Sequence, residues 1–375
     1  MSYFKLFTFI LSIFVVGMVE LVVAGVLTLI SDDLDVSPGL AGQLVTIYAL
    51  TFAISGPILV KLTERFNPRN VLLVSLAIFM AGNALNASGQ TFTLIVIGRI
   101  IASAAASIIV VKILALTVVL SKPETRGKML GLVYVGFSGA NVFGVPIGTK
   151  LGELLGWCAT FWMIVLFSFI AAILLFFQLP KHVQSEDSDS SRNQLLYPKE
   201  AAKYISITFI LLAANSAVFT YISPIMIEHG YNLTDVSIAL FIAGIGSMTG
   251  TSFGGTMTDR LGSRKWLLVS LTLFMLTLLI FNFVLSSFIV LLLVILIWNF
   301  SEWSTNPAIQ MGIIKQVEGD TSQIIAWNMS ALNAGIGAGA LLGGILLENF
   351  SLTYSPYMAA GLIVICIGIA FSIKR

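Results

Sequence analysis

Charge is what this sequence has least of. Asp, Glu, Lys and Arg make up only 10% of its 375 residues, against roughly 25% in an ordinary soluble chain. Too little polar surface remains to face water on all sides, so a water-bathed globule is excluded. Cysteine and histidine are almost missing as well. Cys158, Cys366, His182 and His229 stand far apart with no metal-ligand spacing, so no metal site is expected. The net charge of +2 offers no basic surface to a nucleic acid. No Ser/His/Asp grouping and no polar catalytic domain is visible, which leaves a membrane enzyme or sensor as the least favoured class. Asp33-Leu-Asp35 and Asp187-Ser-Asp189 fall in polar loops and read as solvated charge.

What the chain has instead is hydrocarbon. Hydrophobic residues make up 57% of it and the mean hydropathy is +0.98. Apolar runs fall near 4–30, 40–60, 71–88, 92–118, 129–149, 157–179, 204–227, 236–257, 266–285, 288–312, 324–346 and 356–373. About 20 apolar residues cross a hydrocarbon core roughly 30 Å thick, so the twelve runs predict twelve transmembrane helices. The first run is too long for a signal-peptide core and shows no small-residue cleavage site, so it reads as a retained helix. The one long polar stretch, 181–203, carries Glu186-Asp187-Ser188-Asp189-Ser190-Ser191 and reads as a linker. It divides the chain into six-helix bundles over 1–180 and 204–375.

The two bundles repeat each other. At an offset of 195 residues, Arg69 to Met80 lies on Arg264 to Met275 with eight of twelve positions identical. The same offset pairs Glu64 with Asp259, Gly144 with Gly339, Gly148 with Gly343 and Glu153 with Glu348. Parallel repeats imply a pseudo-two-fold axis along the membrane normal, with a site between the halves that opens to either side by rocking. With the N-terminus placed in the cytoplasm, 17 of the 20 Lys and Arg residues fall on that side. Only Lys150 falls outside, and Arg99 and Lys112 lie within runs. Both termini are therefore expected to be cytoplasmic, and the 181–203 linker with them.

The loop after the eighth run reads Gly255-Thr-Met-Thr-Asp259-Arg260-Leu-Gly262-Ser-Arg264-Lys265. It resembles the loop signature of the major facilitator superfamily. The loop after the second run, Leu62-Thr-Glu64-Arg65-Phe-Asn67-Pro-Arg69, is a worn copy of it. The fifth run carries Gly136, Gly139, Gly144, Pro146 and Gly148, similar to the motif that marks proton-driven exporters of that superfamily. Gly98-Arg99 in the fourth run matches the family's buried arginine in part, with Ala102-Ser103 standing where the family has Gln-Gly. Gly17, Glu20 and Gly25 of the first run, with Ala41-Gly42-Gln43 and Ser55-Gly56-Pro57 of the second, resemble the arabinose-efflux and purine-efflux branch of the twelve-helix drug/proton antiporters.

This resemblance spans nearly the whole chain and carries several implications. The fold is all-α, with twelve membrane helices in two pseudo-symmetric halves. The activity is proton-coupled efflux of drugs or purine-type metabolites from a bacterial cell, with uptake or facilitated diffusion as the alternative. No cofactor is needed beyond a proton gradient, the lipid bilayer and a small-molecule substrate are the partners, and one chain suffices. Glu64, Arg65, Asp259, Arg260 and Arg264 would form a cytoplasmic latch, each acid facing a helix N-terminus of the other half: Asp259 the fifth helix, Glu64 the eleventh. Helices 1, 4, 7 and 10 would line the cavity.

The residues themselves name candidates for that cavity. Glu20, Arg99, Lys112 and Glu302 are the Asp, Glu, Lys and Arg residues deep within runs. A charge at the bilayer centre costs about 2.5 kcal/mol or more, so each is read as functional. Glu302 is the favoured proton carrier, with Glu20 second. A rise of about 1.5 Å per residue puts Glu20 and Arg99 at similar depth, where they could pair. Lys112 is read as cavity-lining, with snorkelling to the headgroups as the other option. Asn299, Glu302, Asn306 and Gln310 share one helix face beside Pro307, and Ser216, Thr220 and Ser223 form a polar stripe on the seventh run.

Overall fold

The computed structural model describes residues 3–63, 65–121, 126–179, 194–318 and 322–373. Among them are twelve helices long and apolar enough to cross a membrane, numbered here as spans 1–12 in chain order. Spans 1–6 are Tyr3–Leu21, Pro38–Leu62, Pro68–Ser88, Phe92–Thr117, Gly131–Leu155 and Trp157–Gln178. Spans 7–12 are Pro198–Glu228, Leu233–Leu261, Ser263–Val284, Phe288–Ile314, Ile324–Asn349 and Ser355–Ser372. Phe177, Phe283 and Ile289 are 79%, 77% and 73% exposed, as side chains facing lipid must be.

Short-range chemistry sets the helix ends. Ser37 caps span 2, its hydroxyl accepting from the Leu40 N–H ahead of Pro38. Asn232 and Asp235 form a reciprocal capping box at the start of span 8. Single glycines, Gly156 and Gly262, link spans 5–6 and 8–9 with φ of 85° and 83°, where a side chain would be strained.

Three spans are not straight rods. Span 1 breaks at Val22 and resumes as Val23–Asp33. Span 5 contains a π-turn over Ala140–Gly144, just ahead of Pro146. Span 7 changes from Pro198–Phe219 to Ile222–Glu228 through Thr220 and Tyr221. Two details depart from the sequence expectation for the linker. Span 7 starts at Pro198, inside the stretch assigned to 181–203, because proline suits the first helical turn. Gln194–Leu195 also pairs antiparallel with Val317–Glu318, a ribbon no sequence pattern announced. Residues 180–193 lie outside the described residues.

The offset of 195 is written into the packing. Arg69 donates to the Phe176 carbonyl at 2.7 Å, and Arg264 donates to the Phe371 carbonyl at 2.6 Å; both members differ by the offset. Gly144 lies against Met18 and Gly148 against Val22, while Gly339 lies against Ala213 and Gly343 against Ala217. In lipid no hydrophobic drive brings helices together, so close approach at small residues carries this packing. Thr28 and Ser223, also 195 apart, meet each other at 3.3 Å and so mark where the pseudo-two-fold axis passes.

Candidate functional site

A cavity of about 550 Å³ lies between the halves. Its walls come from spans 1, 2 and 5 of the first half and 7, 8, 10 and 11 of the second. Glu20 and Glu302 both reach it, one from each half. Asn299, Asn306 and Gln310 accompany Glu302 on the wall, so the whole predicted stripe of span 10 faces the space. Pro307 remains inside this helix and lines the cavity with it. Glu302 is 5% exposed, and its Oε2 has no hydrogen-bond partner. A carboxyl oxygen left bare in a low-dielectric wall is costly unless it meets a proton or a ligand.

The polar stripe of span 7, with polar residues of span 1 and its continuation, divides between two tasks. Ser216 and Thr220 line the cavity and hydrogen bond to each other at 3.0 Å. Deeper along the same helices, Thr28 and Ser223 close the space with their mutual bond. Of the tyrosine and tryptophan rings, Tyr134 and Trp303 line the wall, together with the phenylalanines Phe52, Phe137 and Phe219. Trp298 instead sits among Phe219, Phe274 and Phe281, and Tyr221 donates to the Ala340 carbonyl at 2.7 Å.

Arg99 and Lys112 are not on this wall, and neither is any other residue of span 4. This corrects the expected lining set, in which span 4 took part. Arg99 is fully buried, and its guanidinium donates to the carbonyls of Val19 at 2.8 Å and Leu44 at 3.2 Å. Its Cζ lies 4.3 Å from the centroid of the Tyr48 ring. Spans 1 and 2 thus wrap the cation and screen it from the cavity. Glu20 and Arg99 lie within electrostatic reach of each other but form no ion pair, so the pairing that their depth allowed is not made; backbone carbonyls take its place. Lys112 is buried in span 4, away from the lining.

Four amides that sequence reasoning passed over belong to the site. Asn141, Asn215, Asn328 and Asn333 all line it. Asn141 donates across the halves to Ser247 at 2.9 Å, Asn215 accepts from Trp298 at 2.8 Å, and Asn328 accepts from Thr208 at 2.7 Å. Isolated amides inside apolar runs were the available signal, since such side chains hydrogen-bond across helices within a membrane bundle.

Apart from the Asn141–Ser247 bond at the cavity, the side-chain hydrogen bonds between the halves among the described residues gather at one end of the molecule. Ser37 donates to Glu348 at 2.6 Å, and Thr234 bonds both carboxylate oxygens of Glu153 at 3.1 Å. Glu348 and Glu153 differ by the offset, so the same acid seals each side, at the start of span 2 and of span 8 respectively. A carboxylate at a helix N-terminus gains about 0.3–1 kcal/mol from the helix dipole. Lys150 adds bonds to Glu153 at 2.8 Å and Thr234 at 2.7 Å, and Ser237 donates to the Pro146 carbonyl at 2.9 Å. The cavity sits on the other side of this seal.

The motif of span 5 turns out to face two ways. Gly136, Gly144 and Gly148 pack on span 1 of the same half, against Ile10, Met18 and Val22, and Gly139 faces the Phe14 ring. Of the motif residues, Pro146 reaches span 8 of the other half through its carbonyl, beside Asn141, Val142 and Phe143, which also meet that span. Of the expected latch, Arg264 binds the end of span 12 in its own half. Asp259, Arg260 and Arg65 are exposed, and Asp259 makes no ion pair or hydrogen bond among the described residues. Glu64 lies outside the described residues, as do 122–125 and 319–321 next to the helix starts that the two acids were expected to face.

Comparison with known proteins is consistent along the whole length. The sequence profile of the Major Facilitator Superfamily matches residues 9–311 and 204–375. An uncharacterized MFS-type transporter of Bacillus subtilis, YbcL, is 31% identical over 92% of this chain and 90% of its own. A probable sugar efflux transporter of Mannheimia succiniciproducens is 26% identical over 96% and 91%, and the putative transporter AraJ of Escherichia coli is 24% identical over 90% and 86%. A solved bacterial homologue of the human lysosomal transporter Spinster, inward-facing and unoccupied, shares the fold at a TM-score of 0.76. That likeness covers 100% of this chain and 97% of the other at 12% identity.

Proposed function

The chain belongs to the major facilitator superfamily, and we propose that it expels small molecules from the cell in exchange for protons. It is a multi-pass membrane transporter, not an enzyme. The carrying observation is that Glu20 and Glu302, from opposite halves, face one cavity whose wall, among the described residues, holds no lysine or arginine. Two carboxyls that share a space with a ligand let protonation and ligand binding compete. A proton arriving from outside displaces the ligand, and a ligand arriving from inside displaces the proton. Each cycle then trades one for the other, with the proton gradient as the only energy source.

The wall chemistry narrows the cargo. Anions are disfavoured by two acids with no cation to offset them. Amides, hydroxyls, Tyr134 and Trp303 suit flat, polar or cationic molecules such as drugs and purine-type metabolites. A volume of this size is in the range of sites for drug-sized ligands, about 300–1,000 Å³. The name of the Mannheimia succiniciproducens relative, a probable sugar efflux transporter, and the span 5 motif favour the outward direction. By the positive-inside bias, seventeen of the twenty Lys and Arg residues in the sequence are assigned to the cytoplasmic side, and a seal at the opposite end supports an inward-open state with both termini cytoplasmic. The cavity is completed within one chain, which supports function as a monomer.

Everted vesicles with a preformed pH gradient test this. A cationic drug or purine that the protein exports collapses the gradient in wild type, and Glu302→Gln, which keeps shape but cannot titrate, abolishes the collapse while the protein still folds. A variant that exchanges at the wild-type rate removes Glu302 from the mechanism. Substrate movement with no proton movement in wild type replaces exchange by facilitated diffusion.

A further inference from the structure

A second cavity, about 1020 Å³, lies at the unsealed end of the second half, apart from the transport site. Among the described residues, Lys199, Arg264, Lys265 and Lys315 line it with a single acid, Glu200. That acid is engaged by Lys203 at 3.0 Å. Lys199, Lys265 and Lys315 are exposed and make no ion pair among the described residues. Two long helices, Pro198–Phe219 and Ser263–Val284, begin at its rim and aim their unbonded N–H groups that way. The ribbon of Gln194–Leu195 with Val317–Glu318 holds Leu196 over the opening through a bond from its N–H to the Gln316 carbonyl. The excess of positive charge is gathered, not scattered.

The repeat shows that this is more than a topological stop. At the offset of 195, Lys199, Lys265 and Lys315 correspond to Phe4, Asn70 and Leu120. Only Arg264 has a cationic counterpart, Arg69, and that pair is explained by its bonds to the ends of spans 6 and 12. Three cations were thus added to one half around one hollow. The lining is also amphipathic. Leu261 and Phe371 are 46% and 62% exposed along it, with Leu268 behind them.

We propose that this cavity binds an anionic phospholipid, its phosphate held by Lys199, Lys265 and Lys315 and its acyl chains lying along Leu261, Leu268 and Phe371. Cations alone suit any phosphate. Continuity of the charge with an exposed apolar wall at the membrane surface selects a lipid over a free ion. Basic pockets beside membrane helices gain about tenfold or less per lysine near an anionic surface.

The test uses the full chain in nanodiscs of phosphatidylglycerol and phosphatidylcholine in equal amounts. The protein is extracted gently and the retained lipid counted by native mass spectrometry. Wild type is expected to keep phosphatidylglycerol over phosphatidylcholine. Lys265→Gln with Lys315→Gln is expected to lower that preference about tenfold, while Lys5→Gln with Lys61→Gln, two charges outside the cavity, leaves it intact. Three results overturn the proposal: no preference in wild type, equal loss in both double variants, or release of the lipid by millimolar inorganic phosphate, which identifies a free-anion site. The wild-type preference and the phosphate competition decide the matter even if a double variant fails to fold.

Discussion

The two halves share a scaffold and differ in what they hold. Where the repeat governs packing, it is kept: the Arg69 and Arg264 clamps, the glycines against spans 1 and 7, and the Glu153 and Glu348 seals. Inside, the equivalences lapse. Glu20 corresponds to Asn215, Glu302 to Ser107, and Arg99 to Val294. The first half spends its buried cation on tying spans 1, 2 and 4 together, while the second turns a polar stripe on span 10 toward the cavity. Helix contacts must match on both sides of the axis for the halves to rock as alike bodies. Cavity chemistry meets one asymmetric ligand and carries no such constraint.

Four measurements would break or sharpen this contrast. Arg99→Ala should show the largest effect, since it strands two carbonyls in the first half that the second half never ties to a cation. A loss of about 3 kcal/mol or more is expected in thermal unfolding, with poor accumulation in the membrane. Unchanged stability would mean that the buried cation serves transport and not assembly. Glu20→Asn should next lower substrate-driven proton movement by about tenfold, and adding Asn215→Glu should restore part of it. Both positions line the same cavity, so a carboxyl moved to the repeat-related place still faces the ligand. No recovery in the double variant would show that the halves are not interchangeable even at the cavity.

A smaller shift is expected at the seal. Glu348→Gln and Glu153→Gln should each weaken the closed end by about 1 kcal/mol, read as faster labelling, from the side of residues 31–37, of a cysteine introduced at Ser216 in the cavity wall. The double variant should give nearly the sum, because the two contacts lie in separate helix pairs. If one acid alone controls labelling, the seals are equivalent in position but not in work. Last, Arg69→Lys and Arg264→Lys should each cost about 1 kcal/mol or less in thermal stability and agree closely with one another. A large difference between them would mark the clamp beside the basic cavity as having a second duty.

Run length and the 195-residue offset made the twelve spans and the two halves readable, since a bilayer leaves a helix few alternatives. The span 10 stripe was readable for the same reason: Asn299, Glu302, Asn306 and Gln310 fall at helical spacing in a helix that stays helical through Pro307. Arg99 was not, because its partners are the carbonyls of Val19 and Leu44, and a carbonyl leaves no trace in residue type. The break at Val22 had no glycine or proline to announce it. Glu153 and Glu348 were legible as repeat mates, but their meeting with Thr234 and Ser37 depends on how the halves lean together.

The π-turn in span 5 also governs how that helix must be counted. In a regular α-helix, eight residues advance about 800°, leaving Gly144 roughly 80° out of line with Gly136. A π-turn absorbs one extra residue, so the same stretch winds as about seven steps and returns within roughly 20° of its starting direction. Gly136 and Gly144 consequently look onto the same neighbour, span 1, although their spacing says otherwise. The turn is a phase shifter: it lets one helix keep a single contact line past a proline. Removing one residue from Ala140–Gly144 would therefore restore a regular helix and leave the side chains beyond it, Pro146 and Glu153 included, facing as they do now, whereas unwinding the π-turn with every residue kept would rotate them by about 100°.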